Sequence, residues 1–146
     1  MTVIAAPAET GIRWGRIVLG AFLLELALFA VLIPIGIAFG LPATAPGAQP
    51  VDATVFFTSV PVGCLVLGFL FGMWVARDVA ANVVGHGALV GIVATMIYLG
   101  ICTIPPNTIR AVVATYGAPL FLLANGLRIA GCTAGAWYQG TRRSDR

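Results

Sequence analysis

Four uninterrupted apolar runs, at about 14–39, 54–76, 86–103 and 111–138, constrain this chain more than any other feature. Each is near or above the roughly 20 residues that a helix rising about 1.5 Å per residue needs to cross about 30 Å of hydrocarbon. The third is the shortest, and the fourth is long enough to tilt or to project. Continuous runs exclude a transmembrane barrel, whose strands alternate over about ten residues. The pattern predicts an all-α membrane protein, a single integral membrane domain over 1–146 folded as a left-handed bundle of four transmembrane helices.

Composition removes the competing classes. The chain is 60% apolar and only 9% charged, with a mean hydropathy of +1.01. A soluble domain is nearer half apolar and about a quarter charged, so a soluble fold here would expose apolar surface that it could not cover. The same hydrophobicity excludes disorder. Three cysteines are too few for a disulfide scaffold. Arg13, Arg16 and the small residues Ala43-Thr44-Ala45 give the first run some look of a signal peptide. Its apolar stretch exceeds the usual core of about 7–15 residues, so the expectation is a retained helix.

Charge placement predicts the orientation. The net charge is +3, carried by eight arginines and no lysine against five acids. On a soluble chain that balance would suggest nucleic acid. Here seven of the eight arginines are dispersed at the ends of apolar runs and form no stripe, so the bilayer is the expected partner and nucleic acid is not. With four spans the termini share a side, which would hold Arg13, Arg16, Arg77, Arg142, Arg143 and Arg146 against Arg110 alone. The positive-inside rule places both termini in the cytoplasm, and Trp14, Trp74 and Trp137 would lie at that headgroup level. The arginine-only, Ala/Gly/Val-rich composition suits a GC-rich bacterial genome and hence a bacterial inner membrane.

The connections are small. Residues 40–53 read as a Pro/Ala/Gly-rich cover over the outer end, 77–85 as a tight cytoplasmic turn, and 104–110 as a short turn around Pro105 and Pro106. None can hold a soluble catalytic domain. Gly72-Met73-Trp74 with Arg77, and Gly135-Ala136-Trp137 with Arg142, hint at an approximate repeat of two tandem helical hairpins.

Small residues recur four apart as Gly36 and Gly40, Gly68 and Gly72, Gly87 and Gly91, and Gly131 and Gly135. Helices in lipid associate by close backbone approach across such residues. These are the candidate packing positions, inside one bundle or between copies in a homo-oligomer. Two ionisable residues fall inside the hydrocarbon, Glu25 near the middle of the first run and Arg128 near the middle of the fourth, with Asn125 one turn before it. An isolated charge there costs about 3 kcal/mol on insertion scales. Their depths differ by a few Å, so an ion pair is expected on adjoining faces of the two helices, with Asn125 adding a hydrogen bond.

Such a group is either a polar pin that fixes which helices meet or part of a substrate or proton pathway. Pro34, Pro61 and Pro119 are placed to kink the outer parts of three helices, with Thr58, Ser59, Tyr98 and Tyr116 at similar depth. His86 reads as a solvated interfacial residue beside Arg77 and Asp78. Cys64, Cys102 and Cys132 lie in different runs with no C-x-x-C, and the single His rules out paired-His haem ligation. No phosphate loop or hydrolase motif occurs, so no catalytic residue, metal or cofactor is expected and the protein is read as a non-enzyme.

Two resemblances attach to these residues. Glu25 in Leu23-Leu24-Glu25-Leu26 resembles, in position, the membrane glutamate of small multidrug-resistance transporters, which implies proton-coupled export of cationic drugs. This chain is longer than theirs, carries Arg128 and has a strong charge bias. The stretches Phe71-Gly72-Met73-Trp74-Val75-Ala76-Arg77, His86-Gly87-Ala88-Leu89-Val90-Gly91 and Leu127-Arg128-Ile129-Ala130-Gly131 resemble those of small uncharacterised four-helix bacterial inner-membrane proteins. That second resemblance implies architecture and no activity. The expected role is structural or accessory, through self-association or a membrane complex. The alternative is a small transporter or channel using Glu25, Asn125 and Arg128.

Overall fold

The computed structural model describes residues 11–38, 53–79, 81–104 and 117–144. The described chain forms four helices, α1 (Trp14–Ala38), α2 (Ala53–Ala76), α3 (Val83–Thr103) and α4 (Ala118–Ser144). α1, α3 and the 58–76 part of α2 are long and apolar enough to cross a membrane, and a third or fewer of the residues in their most apolar stretches are buried. Apolar side chains such as Phe22, Ile33, Leu70 and Met96 therefore cover the outside. Exposed apolar surface on this scale is suited to lipid and not to water.

α4 departs from the reading of its sequence. Residues 111–116 of the expected fourth span lie outside the described residues. The helix starts after Gly117, whose φ of +75° suits glycine, and it runs past the expected end at Tyr138 to Ser144. Asn125, Arg128 and the polar last turns make it the least apolar helix, and on its described residues it does not qualify as a span. Pro119 falls in its first turn, where no helical carbonyl opposes the ring, and so cannot kink it. Pro34 and Pro61 do lie inside α1 and α2.

Around the bundle the order is α1, α2, α4, α3, with α2 on α4 the most intimate pair and α1 scarcely meeting α4. Small residues explain that intimacy. A Cβ on Gly72 would collide with the carbonyl of Cys132, and one on Gly135 with the carbonyl of Phe69. Gly131 lies against the Leu65 carbonyl, and Gly68, less tightly, against that of Arg128. From α3, Gly87 meets Ala136 and the same Cys132 carbonyl, and Gly91 meets the backbone of Ile129. Six of the eight sequence-selected glycines thus face neighbouring helices within one chain, and α4 is clasped between α2 and α3. Gly36 is buried on α1; Gly40 lies outside the described residues.

The beginnings of α1 and α3 converge with the ends of α2 and α4. Arg16 Nη1 lies 2.6 Å from Asp78 Oδ2, and Nη2 donates to the Trp74 carbonyl at 2.9 Å. Its guanidinium also stacks 5.3 Å from the Trp74 ring centroid. Arg143 donates to the Val79 carbonyl at 2.9 Å. The hydrogen bond from Arg16 holds the Asp78 carboxyl below its usual value, although the group is exposed.

His86 differs from its reading as a solvated residue. It is 1% exposed. Asn82, at φ 53°, turns the chain so that its carbonyl meets both the His86 backbone N–H and ring Nδ1, the latter at 2.9 Å. The backbone N–H of Arg13 donates to His86 Nε2 at 3.2 Å. One ring nitrogen must donate and the other accept, which assigns the neutral, Nδ1-protonated tautomer. The ring joins the approach to α1 to the first turn of α3, a role that a lone His in sequence does not signal.

Candidate functional site

Glu25 projects from the buried face of α1, which runs Ile17, Gly20, Ala21, Leu24, Glu25 and Leu28 at helical spacing. Arg128 projects from the corresponding face of α4, between Ala124 and Cys132. They are 3% and 4% exposed, and Arg128 Nη1 lies 3.1 Å from Glu25 Oε1. The helices that carry them scarcely touch. The expected adjoining faces are therefore replaced by a diagonal, which the long arginine side chain crosses.

Each of the four described helices contributes to the surroundings of the guanidinium. Asn125 of α4 accepts from Nη1 through Oδ1 at 3.1 Å, while its own amide donates to the Phe121 carbonyl at 2.8 Å and so fixes the amide's orientation. Cys64 of α2 accepts weakly from Nη2, at 3.8 Å to Sγ. Tyr98 of α3 presents its ring face, with the guanidinium carbon 5.0 Å from the centroid. Opposite charge, amide oxygen, sulfur and aromatic face together replace much of the water that an arginine loses on burial.

The satisfaction is incomplete. Arg128 Nε and Glu25 Oε1 are buried without an aligned hydrogen-bond partner among the described residues. Oε1 touches the guanidinium as an ion pair and not as a well-directed hydrogen bond. Sequence reasoning selected Glu25, Asn125 and Arg128 but missed Cys64 and Tyr98 as members of the same cluster. Cys64 carried a signal in its place on the small-residue ridge Cys64, Gly68, Gly72. Tyr98 carried only its depth. Thr58 and Ser59 are not among the residues that line the cavity at this cluster, and Tyr116 lies outside the described residues.

A cavity of about 280 Å³ ends on this cluster. It follows the gap between α1 and α4, with walls that include Leu28, Leu32, Ile33 and Phe121, and Val60 from α2. The unpacked diagonal creates the space, and the ion pair closes its inner end. Among the described residues no group of three His, Cys, Asp or Glu side chains is placed to hold a metal ion. Comparison with protein-family models, curated proteins and solved structures finds no match for the chain.

Proposed function

We propose that the chain is a four-span integral membrane protein of the bacterial inner membrane, with both termini in the cytoplasm and a structural or accessory, non-enzymatic role. The observation that carries this reading is the buried Arg128, engaged by Glu25, Cys64, Tyr98 and Asn125 from all four helices. The polar centre is occupied chiefly with itself, as a pin that selects helix partners would be. Membership of α4 among the spans is supported by its outward face, Leu122, Leu123, Gly126, Ala130, Ala134 and Trp137, which carries no charge. The orientation is supported by the gathering of Arg13, Arg16, Arg77, Arg142 and Arg143 at one end.

The intended partner is a second copy or a larger membrane complex. The glycine ridges of α2, α3 and α4 are already used within the chain, so such contacts would fall on the outward apolar faces. Mass analysis in mild detergent tests this: more than one chain per particle, or a defined complex, is expected. A strict monomer that co-purifies with nothing would oppose it. The cavity at the ion pair favours a second reading, a small transporter or channel using Glu25, Asn125 and Arg128. Loss of a transport phenotype in Glu25→Gln, with folding stability retained, would select that second reading.

A further inference from the structure

We propose that the α1–α4 cavity is a binding slot for a single-chain amphiphile with an uncharged, hydrogen-bonding head, the head seated at the Glu25–Arg128 pair. Along α1 the lining extends from Glu25 to Ile37, about 18 Å of helix at 1.5 Å per residue. Spread over that length, a cavity of about 280 Å³ is long and narrow, a shape that suits one extended hydrocarbon chain.

The lining is divided by polarity. From Leu28 and Ala124 to Ile37 and Leu120 it is apolar, whereas Glu25, Cys64, Tyr98, Asn125 and Arg128 gather at the inner end. Ligand sites commonly have this form, an apolar body with a few convergent polar groups. The charges at that end cancel. A head bearing its own charge would leave one charge uncompensated in a low-dielectric setting. A hydroxyl, amide or ester head can exchange hydrogen bonds with the cluster and disturb no charge. The chain leaves along the unpacked seam, where Ile33 and Ile37 are 55% and 74% exposed.

The slot is independent of an accessory role, because loss of binding would leave the stabilising effect of the ion pair intact. The test uses the 146-residue chain in lipid nanodiscs, photolabelled with a diazirine-bearing long-chain alcohol and mapped by peptide mass. Labelling is expected on 25–37 and 120–128. It should be competed by 1-dodecanol at least about tenfold better than by dodecanoate or dodecyltrimethylammonium. Leu32→Trp and, separately, Val60→Phe should fill the slot and abolish that labelling, and at least one should keep the parent's thermal transition. Labelling spread evenly over the outward faces, or unchanged in a folded slot-filling variant, would overturn the proposal. So would preferential competition by either charged amphiphile.

Discussion

At the scale of single residues, burial reverses the meaning of one side chain. His86 looks interfacial in sequence because it begins an apolar run beside charged residues. Its place is instead set by two backbone partners, the Asn82 carbonyl one turn before it and the Arg13 N–H from a distant part of the chain, and no local pattern encodes the second. Replacing His86 by Phe leaves the Arg13 N–H without its acceptor, and a stability loss of about 1–3 kcal/mol is expected. Chemical denaturation in detergent micelles measures it, and an unchanged midpoint would show that the two bonds carry little. The Glu25–Arg128 contact was legible for a different reason. Two opposite charges at similar depth in hydrocarbon have few other ways to offset the cost of burial.

At the scale of elements, helix contact is decided by what is missing from side chains. Gly72 and Gly135 each face a carbonyl of the opposing helix, so a methyl group must push α2 and α4 apart. Gly72→Ala and Gly135→Ala are each expected to cost about 1–3 kcal/mol. Gly126, with nothing near its missing Cβ, should tolerate alanine or gain up to about 1 kcal/mol from helix propensity. Thermal unfolding of the three variants decides this, and equal shifts would contradict the close α2–α4 seam. The spacing of the glycines was readable in sequence, but which helix each ridge would meet was not, because every run carries a similar ridge. The Arg16–Asp78 tie joins the start of α1 to the end of α2 and introduces a pH dependence. Because the folded carboxyl lies below its usual value, its contribution is present above the ordinary carboxylate range and is lost as pH falls below about 4. Asp78→Asn should therefore lower stability near neutrality and flatten the acid loss, read from melting temperature against pH. An acid limb unaltered by the substitution would assign that loss to other groups.

At the scale of the whole molecule, the helix ends that gather the arginines and the outward apolar surface agree with one sidedness. Reporter fusions at Arg146 and within 40–53 should report opposite sides, cytoplasmic for Arg146, and a periplasmic C-terminus would reverse the orientation. Among the described residues, the number of helices and their approximate positions followed from run length alone. The extent of α4 did not, because its polar final turns continue the helix without continuing the apolar run. Nor did the packing order, which leaves α1 and α4 apart and makes one arginine the bridge between them. That bridge is tested most directly by a double-mutant cycle on Glu25→Gln and Arg128→Met, followed by reversible unfolding in detergent. Each single substitution strands a buried polar partner and is expected to cost about 3–5 kcal/mol, and the double substitution should recover much of that loss. Additive losses, with no recovery in the double variant, would contradict the pin.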